Sequence, residues 1–229
     1  MIPRFISSST YYTLYFFAKR SVWRKMKITE HGKKNIPRKG AVIFAANHIK
    51  DLDSVMICGA ARRPTHFFAK KVLFMGGKKL SLKAVTMIMK MTGQIPVKPG
   101  DKELNDRAFA MAETFLKRGE AFAIHIEGTR TNDGKLHKPK LGFTKVAFNT
   151  HAPIVPVALT YNRHPSVHFD KPIPYDEYKD WDAEFLGDEV TRRIAKMSGQ
   201  EISPEFSELI NKGDTVVLES LIKKGGKPS

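Results

Sequence analysis

Two short stretches of this 229-residue chain bring chemically capable side chains close together in sequence. The first is Asn47-His48-Ile49-Lys50-Asp51-Leu52-Asp53. A neutral imidazole is the natural proton acceptor near pH 7, so His48 is a candidate general base for a hydroxyl attacking a carbonyl. Asp53, five positions on, can turn back to the other ring nitrogen, fix its tautomer and stabilise the imidazolium that forms. No serine or cysteine nucleophile is needed if the acceptor hydroxyl attacks directly. The second stretch is Glu127-Gly128-Thr129-Arg130. Glycine permits a sharp turn and a close approach to a ligand, and arginine can hold a phosphate through two parallel hydrogen bonds. Glu127 would orient Arg130, a lysine or an acceptor hydroxyl. Lys135, Lys138 and Lys140 follow before Gly142, which makes the stretch basic and turn-rich. Taken singly, each has a plain structural reading: an incidental His–Asp pair, and a turn with an exposed arginine.

The elements that must position these residues are legible in the hydrophobic pattern. Ala41 to Ala46 reads as a buried strand that runs directly into the His48 stretch, and Ala121 to Ile126 as a strand that runs into Glu127. A short helix through Val55, Met56, Ile57 and Ala60 should end before Pro64, and Thr65 to Ala69 should form another strand. Residues 101–118 keep helical spacing at Leu104, Ala108, Met111, Ala112, Phe115 and Leu116, with Gly119 placed to cap the end. A helix over 141–149, a strand over 153–160, and helices near 185–197 and 214–223 complete the pattern. Residues 78–91 form a basic amphipathic helix with Lys79, Lys83 and Lys90 on one face, suited either to a membrane surface or to the edge of a core. Strands alternating with helices predict a single α/β domain with a largely parallel central sheet flanked by helices. Both chemical stretches then fall at strand ends, where open α/β sheets place their ligand sites.

The net charge of +16 is unevenly spread. Residues 1–100 carry 20 Lys/Arg against three acidic residues, Glu30, Asp51 and Asp53, while residues 101–229 carry 19 against 20. Such a bias turns one part of the molecule toward something anionic, or else makes a highly soluble surface. Residues 10–26 mix aromatic and basic side chains without Gly or Pro, which suits a helix at the boundary between lipid headgroups and acyl chains, or one packed on the domain. The apolar run Tyr11 to Ala18 is far shorter than the roughly 20 residues needed to span a bilayer, and no secretory cleavage pattern follows it. The expected plan is an N-terminal membrane-interface helix over 1–26 and a domain over 27–229, peripheral on the cytoplasmic face of a membrane. The single cysteine, Cys58, lies in an apolar run and reads as core packing. There is no Gly-rich phosphate loop, zinc spacing or aromatic RNA-binding motif, so a nucleic-acid partner is not expected.

Four ordered blocks together resemble the glycerolipid acyltransferases, most closely the lysophosphatidate (1-acylglycerol-3-phosphate) type. They are Asn47 to Asp53, Gly93-Gln94-Ile95-Pro96-Val97, Glu127 to Arg130, and Pro153-Ile154-Val155-Pro156-Val157. The resemblance covers about residues 27–161, with a helical extension beyond. It implies that His48 is the base and Asp53 its orienting partner. Glu127, Gly128, Thr129 and Arg130 would belong to the acceptor's phosphate site, with Lys98 as a further cation. The donor would be acyl-CoA or an acylated carrier protein, the acceptor a lysophospholipid-type molecule at an anionic membrane surface, and no metal or cofactor would take part. Three positions depart from the family pattern. Lys98 and Pro99 stand where an acidic residue and Arg usually follow the second block, Lys50 where Ser is common, and Ile126 where Pro usually precedes the third block. The first departure keeps other acceptors in view, such as a lysophospholipid or an aminoacyl or glycosyl lipid. A non-catalytic basic membrane-binding module is the reading from a different class.

Overall fold

The computed structural model describes residues 19–20 and 23–208. The rest of the expected helix over 10–26 and the one near 214–223 lie outside the described residues. Seven strands form one sheet: β1 (Thr29–His31), β2 (Val42–Ala46), β3 (Thr65–Lys70), β4 (Ile95–Val97), β5 (Ala121–His125), β6 (Ile154–Thr160) and β7 (Ser166–Phe169). Their order is β1-β7-β6-β2-β5-β3-β4, and every neighbouring pair is parallel except β6–β7. The helices that lie wholly within the described residues are α1 (Asp53–Ala61), α2 (Leu80–Met91), α3 (Lys102–Lys117), α4 (Gly142–Thr150), α5 (Tyr175–Tyr178) and α6 (Ala183–Ser198). This is the α/β architecture that the alternating pattern predicts. Among the described residues no helix is long and apolar enough to cross a membrane.

The sheet is buried on both faces because the alternation along its central strand serves two cores. On β2, Ile43 and Ala45 pack with α3, α4 and α6, while Val42, Phe44 and Ala46 pack with α1. Ala108, Ala112, Phe115 and Leu116 form the buried stripe of α3, with Asp101 accepting from the Leu104 amide at its start and Gly119 (φ +77°) closing its end. Cys58 sits half-buried on α1, and burial pushes its thiol pKa up to about 12, as suits a packing residue. The outlier is α2, a twelve-residue helix without one buried side chain. Its packing partner is the short 3-10 turn Lys71–Phe74, where Thr86 Oγ1 donates to the Leu73 carbonyl at 2.8 Å.

Candidate active site at the carboxyl ends of the strands

Three adjacent parallel strands, β6, β2 and β5, end side by side, and the candidate site is built from the residues that follow them. His48 follows β2, Glu127 to Arg130 follow β5, and Tyr161 follows β6. Asp53, the first residue of α1, is fully buried. One carboxylate oxygen, Oδ2, accepts from His48 Nδ1 at 2.9 Å and from the amides of Ile49 and Lys50 at 2.6 and 2.8 Å. The other, Oδ1, accepts from the Tyr161 hydroxyl. Burial alone would raise the Asp53 pKa. The hydrogen bonds from His48, Tyr161 and the two amides outweigh it and hold the carboxyl below its ordinary value. Its place in the first turn of a helix favours the same charge. An ionised Asp53 requires the proton on His48 Nδ1, so the Nε2 lone pair remains available. That is the state a general base needs.

A second histidine completes the arrangement. His125, the last residue of β5, stacks on His48 with ring centroids 4.0 Å apart and planes 12° from parallel. Its Nδ1 donates to the Asn47 carbonyl at 2.7 Å, which leaves Nε2 to accept from the Ser54 hydroxyl at 3.0 Å. Burial and the neighbouring His48 bring its pKa down to about 4, so His125 is neutral near pH 7. Asn47 ties the same loop to β6, donating to the Leu159 carbonyl at 2.9 Å and accepting from its amide at 2.8 Å. His48, Asp53 and His125 bring three potential metal-ligand atoms within 4.8 Å of one another. Two stacked imidazoles hold their in-plane lone pairs in near-parallel planes, however, and these do not converge on one ion. The trio fits a braced base better than a metal centre.

Glu127 is organised differently from its expected role. Its buried carboxylate accepts from the backbone amides of His48 (3.2 Å) and His137 (3.3 Å) and therefore clamps two loops together. Burial raises its pKa, opposed by those two amides. Arg130 pairs instead with Asp51 (3.0 Å). Gly128 has φ +69°, and a Cβ there would come within 2.7 Å of the Lys140 side chain, so this glycine makes room for that lysine.

His48 borders a cavity of about 390 Å³. Phe67, Phe68, Val97 and Phe109 supply apolar surface to its lining, Lys70, Arg130 and Lys140 supply positive charge, and Asp51 lines it as the acidic partner of Arg130. Gly128 and Thr129 also line it, but Lys98 does not. The Lys98 backbone is instead held by the Asn105 side chain and the residue is exposed, while its neighbours Val97 and Pro99 face the cavity. Sequence reasoning missed His125, Tyr161 and Lys70. Each stands at or just after the carboxyl end of a strand, and that shared position was the available signal.

An oriented imidazole beside a cavity both apolar and cationic can take a proton from the hydroxyl of an amphiphile that carries an anion. The fold and site thus define an α/β protein with an oriented imidazole base at the mouth of a cavity beyond the carboxyl ends of its strands. The sequence model of the family described as Acyltransferase matches residues 27–160, more than half of the chain, and the chain belongs to that family. It is similar to the 1-acyl-sn-glycerol-3-phosphate acyltransferase of Borreliella burgdorferi, 31% identical over 63% of this chain and 55% of that protein. It is also similar to the probable 1-acyl-sn-glycerol-3-phosphate acyltransferase of Mycoplasma genitalium, 26% identical over 61% of this chain and 52% of that protein. The chain thus spans about half the length of these curated relatives. Among solved structures it resembles the 1-acyl-sn-glycerophosphate (LPA) acyltransferase PlsC from Thermotoga maritima. That match has a TM-score of 0.65 at 20% identity, covering 81% of this chain and 77% of that one, and it bears on the fold.

Proposed function

We propose that this protein transfers a fatty acyl group from a thioester, acyl-CoA or acyl carrier protein, to the free hydroxyl of lysophosphatidate in phospholipid biosynthesis. It would act as a peripheral protein on the cytoplasmic face of a membrane, where such an acceptor resides. The observation that carries the reading is the His48 ring, locked by the buried Asp53 and bordering a cavity with both apolar and cationic walls. The acceptor hydroxyl adds to the thioester carbonyl as His48 Nε2 takes its proton. The tetrahedral oxyanion then collapses, the C–S bond breaks, and the imidazolium returns the proton to the departing thiolate. Ester and free thiol are the products, and Asp53 stays ionised throughout. Arg130, Lys140 and Lys70 would hold the acceptor's phosphate, and the aromatic lining would take an acyl chain. No metal or cofactor enters this scheme.

The test is transfer from palmitoyl-CoA, and separately from palmitoyl carrier protein, to lysophosphatidate or to lysophosphatidylcholine. His48→Ala should lower the rate by about 10²- to 10⁴-fold, the usual cost of losing a general base. Full activity in that variant would overturn the mechanism. The contact of Arg130 with Asp51, together with the displacement of Lys98 from the cavity, favours a second reading, in which the acceptor headgroup is not a phosphate monoester. Transfer confined to lysophosphatidylcholine would select it.

A further inference from the structure

Among the described residues, the large apolar side chains exposed to water are concentrated on one segment. Val72, Met75, Leu80, Leu82, Met87 and Ile88 all belong to the 3-10 turn, α2 or the link between them, with Leu80 82% and Met75 74% exposed. Scattered surface leucines are ordinary, but a cluster on a helix with no buried residue is not. Most helices owe their stability to packing of an apolar face. The segment keeps its shape through its own contacts: Thr86 bridges the Leu73 carbonyl and the Gly76 amide, and Gly77 is bare because a Cβ would press on Leu82.

Charge identifies what fits this face. Lys71, Lys78, Lys79, Lys83 and Lys90 are all exposed on the same segment, and no acidic residue occurs between Ser54 and Gly100. A second copy of the chain docking here through a twofold axis would set lysines against lysines. Residues 1–18 hold no acidic residue that could complement it, and residues 209–229 set Asp214 and Glu219 against Lys212, Lys223, Lys224 and Lys227, a net positive balance. Apolar side chains interspersed with exposed lysines match the boundary of a bilayer that contains anionic lipid. The two ends of the segment also point to the site. Lys70, which precedes it, and Val97, soon after it, both line the cavity beside His48.

We propose that residues 71–91 are a docking face for an anionic bilayer, and that docking brings the His48 cavity to the lipid surface. The second clause rests on the acyl-transfer reading, whereas the first stands on the exposed residues alone. The direct test labels Met87→Cys, in a Cys58→Ser background of the full chain, with an environment-sensitive dye. Vesicles of phosphatidylcholine with 30% phosphatidylglycerol should shift its emission to the blue, and pure phosphatidylcholine should do so far less. A dye that stays water-like while the protein sediments with vesicles would overturn the proposal, because another surface would then be docked.

Lys79→Gln with Lys83→Gln should weaken partition onto the anionic vesicles by about 25-fold, since a lysine near such a surface is worth about fivefold. Leu80→Ser with Met87→Ser should weaken it on both vesicle types. Because these side chains are exposed, none of the changes opens a core. Self-association of the purified protein that the same changes abolish would assign the face to a second copy and refute the bilayer. Vesicle binding is read without turnover, so a failure of acyl transfer leaves this result interpretable. If transfer does occur, the variants should lose it on vesicle-embedded acceptor and keep it on a short-chain, water-soluble acceptor.

Discussion

Replacing His125 by Phe should remove an acid-labile part of the protein's stability while leaving a ring stacked on His48. In the folded protein His125 stays neutral down to about pH 4, held by burial and by the nearby His48, whereas an unfolded histidine takes up its proton near 6.5. Between those values the unfolded chain binds more protons than the folded one. Stability is therefore fully present above pH 6.5 and is lost as the pH falls toward 4. A gap of about 2.5 pH units at 1.36 kcal/mol per unit is roughly 3 kcal/mol. Phenylalanine cannot titrate, but it forfeits the hydrogen bonds to the Asn47 carbonyl and the Ser54 hydroxyl, a pH-independent loss of about 1–3 kcal/mol. The two stability curves should converge as the pH is lowered, with the variant's disadvantage shrinking or reversing by pH 4.5. Urea unfolding followed by circular dichroism at pH 7.5, 6.5, 5.5 and 4.5 measures this difference, and titrating groups not coupled to His125 cancel in the comparison. Curves that run parallel over the whole range would refute the reasoning.

Three further outcomes follow from the same geometry. Asp53→Asn should lower acyl transfer by about 10³- to 10⁴-fold, because an amide cannot impose the Nδ1–H tautomer on His48; a loss under tenfold in steady-state rate would contradict that role. Tyr161→Phe leaves Asp53 Oδ1 buried without a donor and should cost about 1–3 kcal/mol in urea unfolding at pH 7. Losing that donor also moves the Asp53 pKa back up toward its unfolded value, so the variant's deficit should shrink as the pH falls through the carboxylate range. Gly128→Ala places a Cβ at φ +69° and against Lys140, so it should cost about 1–2 kcal/mol and raise the KM for an anionic acceptor more than it lowers kcat.

What the sequence revealed and what it hid have different physical origins. The long buried strands and the amphipathic helices were legible because a period of two or of 3.6 repeats often enough to register. The short strands β1, β4 and β7 have three or four residues each, too few to show any period. His48 and Asp53 could be paired because they are five positions apart. Tyr161 reaches the same carboxylate from 108 positions away, and His125 meets His48 from 77 away, through the alignment of parallel strands that brings Ala46 opposite His125. The periodicity of α2 gave the helix and the shared face of Lys83 and Lys90, while Lys79 stands just outside it as the extended N-cap residue. Whether its apolar face was covered depended on the neighbouring elements, and spacing carries no trace of those.

The three departures from the family pattern have separate structural outcomes, and together they bear on the acceptor rather than on the base. Ile126 stands where proline is usual, and its amide donates to the Ala46 carbonyl at 2.9 Å, a bond proline could not make. It therefore continues the β2–β5 pairing beneath His48 and His125. Lys50 places its ammonium 4.4 Å from the centre of the Tyr161 ring, over the tyrosine that donates to Asp53, while its amide donates to Asp53 directly. Both changes reinforce the loop that aims the imidazole. The third departure differs in kind, because Pro99 lines the cavity at the position where an arginine usually stands after the second block, and Lys98 beside it does not face the cavity. The remaining cations that face the cavity are Lys70, Lys140 and an Arg130 already engaged by Asp51. Binding a phosphate monoester there means drawing Arg130 from Asp51 or relying on the two lysines, which offer charge without a bidentate fork. Asp51→Asn would release Arg130 with little change in shape, so it should lower the KM for lysophosphatidate if Arg130 is the phosphate ligand. An unchanged KM would assign that task to Lys70 and Lys140.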